Sequence, residues 1–589
     1  MVEENLSERQ KEAEAHLADQ STQLPLSRLL LAVGSMALVL FIAYMDQSGL
    51  GVMLPTIGKD LSAQDSVSWA STSTMIANTT FQVLYGRLSD IFGRKYIYLS
   101  ALLLFFASEL LCGFAKTSTQ LYVFRGFTGV GMAGINALTM IIVSDVVTLK
   151  QRGKYQGILG TAIGLSNTAT PFMAAGIVDG TSWRVLFWTI APSALVCFGI
   201  AFPIVPMRRT PGSIREKAKQ VDFLGILLSS IALIFLLIPV SSGGTQWAWN
   251  SAFIITFFCI GGVAVLVFVY VQWRVSVLPM MPLRLFKDKM NAAMFTQILF
   301  NGAVYYAQLT FLPIFYQNAR GYSRIVSAAL TVPMFASQSI ASVNAGLWIS
   351  RTGYYGRVII TGYVLLTVGT AIQCGIFNSE TPAGVMIIPL ILGGIGNGFT
   401  FQPPLIALQA NSLKADRAVI ISVRGLVRSL GGAFGLAIAS ALMSNVLLAN
   451  IPANIPETLQ KEMRKSIYSV PDLSGLTEQQ TYDVRHAYMI ANRAVLIYYI
   501  PLMVIALGLC FFVKDKGLER AEERQAREQA DALAALRGGE QEKSGADGGE
   551  GKPSDVESAE HEHENDSIPE GMMRSSEDRV GVDTEKEKA

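Results

Sequence analysis

The sequence predicts an all-α polytopic membrane protein of about fourteen helical spans, and three observations carry that expectation. Of 589 residues, 51% are hydrophobic and only 16% are charged, a balance that a water-soluble globule does not show. Apolar runs of about 20 residues, enough to cross a hydrocarbon core of about 30 Å, recur along most of the chain. The charges are segregated into short basic loops and an acidic C-terminal tail, although they nearly cancel at +2.

The spans follow in order. Residues 29–54 are apolar around one carboxylate, Asp46, while 68–85 are almost free of charge from Trp69 to Leu84. Residues 96–115 are apolar but for Glu109, and 119–147 are glycine-rich between Arg125 and Asp145. The next two, 155–178 with Pro171 inside and 185–206, complete a first set of six. An uncharged pair follows at 223–243 and 252–272. A second set of six is expected at 292–316, 327–349, 357–377, 384–408, 427–447 and 495–513, the third and fifth interrupted by glycine and polar residues. Loops after even-numbered spans carry about 21 Lys and Arg, among them Arg94, Lys95, Lys150, Arg152, Arg208, Arg209, Lys287 and Lys414, against about five on the other side. Both termini are therefore expected in the cytoplasm, with residues 450–492 outside.

An internal echo points to a duplication: Gly346, Ser350 and Gly353 repeat the spacing of Gly86, Asp90 and Gly93. The expected organisation is an N-terminal tail (1–27), a six-helix half (28–206), a linker with two extra spans (207–290), a second six-helix half (291–517) and an acidic tail (518–589). Residues 514–537 read as a short surface helix, and 538–589, poor in aliphatics, as disordered. No cleavable signal peptide is expected before the first span.

Several function classes are set aside. The five cysteines lie in apolar runs without metal-site spacing, and His561 and His563 read as part of a solvated tail, so neither metal nor cofactor is expected. Gly393-Gly-Ile-Gly-Asn-Gly398 has no strand before it and fails as a nucleotide fingerprint; no Walker loop appears either. An enzyme is not expected, and neither is a nucleic-acid partner; the expected partners are the bilayer, protons and a small-molecule substrate, taken up by a monomer.

Ionisable residues inside apolar spans stand out, because a charge at membrane depth costs about 2.5–3.5 kcal/mol even on gentle scales. Asp46 is either a proton-loading group facing a cavity or a helix-end carboxylate near Pro55 reaching water. Glu109 either shares that coupling or snorkels outward. Arg125 stays charged at any workable pH, so it either pairs with a carboxylate or anchors the helix at the interface. Asp145, at the inner end of the same span, is expected to pair with the basic loops. Asn301, Tyr305, Gln308, Asn397 and Gln402, with nearby aromatics, are candidates for an amphipathic cavity wall. Sparse charge in the second half favours neutral, zwitterionic or singly charged substrates.

The turn Tyr85-Gly-Arg-Leu-Ser-Asp-Ile-Phe-Gly-Arg-Lys95 resembles the signature loop between the second and third spans of major facilitator superfamily transporters. Gly86 and Gly93 let helix ends approach, Asp90 caps or pairs, and Arg87, Arg94 and Lys95 hold the cytoplasmic side. The span 5 stretch with Gly164, Pro171 and Gly176 is similar to the bend motif of drug:proton antiporters, with Thr170, Ala174 and Ala175 at places where that motif has glycine. Arg125 matches the fourth-span motif, although Thr128 stands where the motif has Gln. Val221-Asp-Phe-Leu-Gly225, Pro282-Leu-Arg-Leu-Phe286, Leu312–Gly321, Ile406–Ala410 and Val427–Gly432 resemble the fungal fourteen-spanner drug:proton antiporter family over about residues 28–517. The resemblance implies the major facilitator fold and proton-coupled, alternating-access export of amphipathic drugs, toxins or secondary metabolites across the plasma membrane. It also implies proton coupling through Asp46, Glu109 and Arg125, gating by the Gly86–Lys95 loop and a span 5 bend. Members of that family also include vacuolar basic amino-acid importers, which leaves uptake at a vacuolar membrane as a rival reading; a non-transporting sensor is another.

Overall fold

The computed structural model describes residues 24–518 apart from 64–65, 207–214, 216–220, 244–246, 277, 413–415, 466–472, 474 and 516. The expected tail beyond residue 518, with His561 and His563, lies outside these residues, as do Arg208, Arg209, Lys414 and most of the N-terminal tail. Among the described residues the regular structure is helical, save one isolated bridge between Gly243 and Trp247.

Among the described residues, fourteen helices have 19 residues or more. The first six are α1 (Leu26–Asp60), α2 (Trp69–Phe92), α3 (Arg94–Gly113), α4 (Ser118–Val146), α5 (Leu149–Gly180) and α6 (Arg184–Ile204). An extra pair follows, α7 (Phe223–Ser242) and α8 (Ala252–Arg274). The last six are α9 (Lys289–Ile314), α10 (Arg324–Thr352), α11 (Gly356–Ile376), α12 (Ala383–Phe401), α13 (Arg417–Ala449) and α14 (Glu478–Gly508). Short helices at Pro403–Ala410 and Glu457–Lys465 lie between them, and α9 runs into a π-helical turn, Phe315–Ala319.

Among the described residues, twelve helical segments are long and apolar enough to cross a membrane. The two that fall short on composition, α2 and α5, have a physical reason to be polar. Each lies against the other set of six: α2 packs along α13, and α5 along α10. A helix buried in such a seam faces protein rather than lipid, so Ser, Thr, Asn and Gln are tolerated and can bond across it. The second helix of one set thus meets the fifth of the other, reciprocally, as two parallel six-helix repeats require.

Small residues set the seam distance. A Cβ placed on Gly153 of α5 would lie 2.7 Å from the Gly346 carbonyl oxygen of α10, and one on Gly157 would lie 2.7 Å from that of Ser342. Gly346 therefore belongs to the α5–α10 contact, and Gly353, at φ +76°, ends α10 in a left-handed cap.

Two helices begin well before their apolar runs. α14 starts at Glu478 rather than 495, because Thr477 and Gln480 cap each other reciprocally and Val484, Tyr488 and Ala491 supply a buried face. α13 starts at Arg417 rather than 427, with Ala418 to Leu426 buried in the protein interior. At the opposite end, Arg320 donates to the carbonyls of Asn378 (2.9 Å), Ser379 and Thr381 (3.0 Å), fastening the α11–α12 loop to the end of α9.

Candidate functional site

Asp46 of α1, Glu109 of α3 and Arg125 of α4 meet inside the first six helices, each at most 1% exposed. Arg125 Nη1 donates to Asp46 Oδ1 and, at 3.5 Å, to Glu109 Oε1. Its Nε reaches the Ala70 carbonyl of α2 at 3.3 Å, and its guanidinium stands 5.9 Å from the Phe187 ring of α6. The close approach of α3 and α4 makes this possible: a Cβ on Gly131 would lie 2.8 Å from the Phe105 backbone nitrogen. The trio is thus enclosed by protein. Asp46 Oδ2 and Glu109 Oε2 have no hydrogen-bond partner, and two carboxylates face one guanidinium.

The Gly86–Lys95 turn sits at the end of the bundle where the two sets close on each other. Gly93 takes φ +100°, which an L side chain rarely adopts, and so turns α2 into α3. Gly86 serves a different contact from the one expected. A Cβ there would lie 3.0 Å from the Ser422 Cβ of α13, so its smallness brings α13, not α3, close to α2. Arg94 pairs with Asp90 (2.6 Å) and with Asp145 of α4 (2.9 Å), and Asp145 also takes Arg417 of α13 (2.8 Å). Arg87 lies 3.8 Å from Asp90 and donates to the Pro279 carbonyl at 3.0 Å, while Lys95 stands 5.3 Å from the Phe202 ring. Arg152 of α5, a loop charge in the sequence reading, is buried between the Ser144 carbonyl (2.7 Å) and Gln409 Oε1 (3.2 Å).

Of the span 5 residues, Gly164 packs on α10, where a Cβ would lie 3.2 Å from the Phe335 carbonyl oxygen; Gly176 faces open space. Pro171 sits within α5 and cannot donate to the Asn167 carbonyl. The Asn167 side chain crosses the molecule: its Oδ1 accepts from Ser48 of α1 at 2.5 Å, and its Nδ2 donates to Tyr305 Oη of α9 at 3.0 Å.

The candidate wall residues make different contacts. Asn301 bonds Asn397 (3.3 Å) and Thr400 (3.2 Å), joining α9 to α12. Gln308 instead pairs with Gln373 of α11 at 3.2 Å. Gln402 interrupts α12 before Pro403, is buried, and has neither amide atom bonded.

Sequence reasoning did not single out Arg424 or pair it with Arg428. Arg424 and Arg428 lie one turn apart on α13, each only 7% exposed. Arg428 stacks 3.9 Å from the Phe401 ring centroid and 4.9 Å from Tyr305; Arg424 stands 5.3 Å from Phe401 and donates to its carbonyl. The expectation of sparse charge is therefore corrected. The predicted span began at 427, which left Arg424 outside it, and the signal was two arginines at i, i+4 next to Gly425 and Gly431–Gly432 in an otherwise apolar stretch.

The sequence profile of the Major Facilitator Superfamily matches residues 36–436. The chain belongs to the major facilitator superfamily. It is similar to Citrate exporter 1 of Yarrowia lipolytica (strain CLIB 122 / E 150), 40% identical over 520 residues that cover 88% of this chain and 77% of that one. It is also similar to the MFS-type transporter clz4 of Cochliobolus lunatus, 39% identical with 71% and 75% covered. The solved proton:xylose symporter XylE bound to 6-bromo-6-deoxy-D-glucose shares the fold at a TM-score of 0.54 and 13% identity, with 85% of this chain and 99% of that one covered. This major facilitator protein is a multi-pass membrane transporter, not an enzyme.

Proposed function

We propose that this transporter is a proton-coupled exporter of small organic molecules that works by alternating access. The observation that carries the reading is the buried trio Asp46–Arg125–Glu109. Two carboxylates against one guanidinium leave one negative charge uncompensated in a dry interior, and one proton cancels it. The trio packs wholly within the first six helices, so its protonation state biases how that half docks on the other. In this reading residues 28–206 and 291–517 rock about the α2–α13 and α5–α10 seams, residues 207–290 link them, and the Gly86–Lys95 turn latches one end state. Similarity to a protein named as a citrate exporter supports export, and favours organic acids over the amphipathic drugs that the sequence motifs suggest. The proposed setting is a monomer in the plasma membrane with both termini in the cytoplasm.

The test is Asp46→Asn in sealed vesicles under an imposed pH gradient. Flux driven by the gradient should be abolished while membrane insertion and yield stay as in the wild type. Unchanged gradient-driven flux overturns the assignment.

A further inference from the structure

The second half holds a positive site with no countercharge. Arg424 and Arg428 project from one face of α13, both more than nine-tenths buried, and Arg424 Nε and Arg428 Nη2 have no hydrogen-bond partner. Among the described residues no carboxylate pairs with either guanidinium; the ionisable neighbours of Arg424 are Arg428 and the hydroxyls of Tyr44, Tyr306 and Tyr363. Phe401 and Tyr305 cover the flat faces of the cations. Aromatic faces and neutral hydroxyls soften the burial of two like charges one turn apart, but they do not cancel it. Gln402, the chain neighbour of Phe401, has both polar atoms of its amide free. Arg94, Arg125 and Arg417, by contrast, each face a carboxylate of the protein. Arg424 and Arg428 combine free N–H groups with a missing countercharge.

We propose that Arg424 and Arg428 form a binding site for a small organic anion bearing two or more carboxylates, with Phe401 and Tyr305 as its aromatic wall. The proposal rests on the transport reading above and names the substrate class of that carrier. Two guanidiniums spaced by one helical turn suit two carboxylates on one short carbon skeleton, each a charge-assisted and bidentate partner. A cationic or neutral amphipath would leave the desolvated charges as they are. The link Ser48–Asn167–Tyr305 then connects this site to the first half, since Tyr305 touches both Asn167 and Arg428.

The test uses the full chain in proteoliposomes, with citrate as the anionic probe and ethidium as a cationic one, in exchange assays at equal pH on both sides. Wild type should exchange citrate saturably and ethidium not at all. Arg424→Gln and Arg428→Gln should each raise the half-saturation concentration at least tenfold, and Arg424→Lys, which keeps the charge, should lose less. Citrate, but not ethidium, should also raise the melting temperature of the wild-type protein, a readout that needs no variant to fold. Exchange of ethidium but not citrate, or an unaltered citrate half-saturation in folded Arg424→Gln, overturns the proposal. If citrate exchanges at equal pH but ignores a pH gradient, the proton reading fails and the anion site stands. If a gradient drives other compounds and never citrate, the reverse holds.

Discussion

A guanidinium held between two buried carboxylates is the member that keeps the set paired. Removing it leaves both carboxylates buried without a partner, which costs about 3–5 kcal/mol. Arg125→Leu should therefore lower the melting temperature of the purified protein sharply, while adding Asp46→Asn to it should recover part of the loss. Additive losses in that double-mutant cycle would mean that Asp46 and Arg125 are not energetically coupled, despite their contact. These residues stand out in the sequence because each is a lone ionisable group in an apolar run. Their meeting does not, since α1, α3 and α4 are brought together by long-range packing around glycines that no local pattern reveals. Arg424 was hidden for the opposite reason. An apolar window ends where charge begins, so a helix that continues through buried cations is cut short.

At the scale of the element, polar composition is a record of what each helix faces. α2 and α5 are weak as membrane spans because their neighbours are α13 and α10. The order and number of long helices were legible from hydrophobic runs; the extended starts of α13 and α14 depend on caps and interior contacts instead. The junction of α1 with α6 gives a pH-dependent test. Asp60, at the end of α1, accepts from Arg184 Nη1 (2.7 Å) and Trp183 Nε1 (3.0 Å), and these bonds hold its carboxyl below the ordinary value. A lowered folded-state value contributes stability above the ordinary carboxylate range and loses it as pH falls through the lowered value. The pair is substantially exposed, so solvent screening keeps its worth within about 0–1 kcal/mol. Asp60→Asn should melt slightly below wild type near neutrality, and the gap should close on acidification. A gap that widens in acid would contradict the assignment.

At the scale of the whole molecule, the basic end is closed by contacts between sets of helices. Asp145 of α4 receives Arg94 from α3 and Arg417 from α13, so one carboxylate ties the turn to the opposite half. Arg417→Gln should loosen that closure. A cysteine at Ser422, fully buried here, should then react several-fold faster with a water-soluble maleimide than in a background that keeps Arg417. No change in that rate would place the closure in the glycine seams alone. The extra pair adds a different kind of control. α7 rests on both α2 and α13, through Leu233 and Leu237 beside Val83, Leu426 and Ala433. α8, behind it, is the span least enclosed by protein, at 22% of its apolar window. The pair therefore covers the α2–α13 boundary on one side and presents a little-enclosed apolar helix on the other. Hydrophobic mismatch costs fractions of a kcal/mol per Å, and here that force bears directly on the boundary. Turnover should accordingly follow lipid chain length and sterol content, making the host membrane's thickness a dial on the carrier.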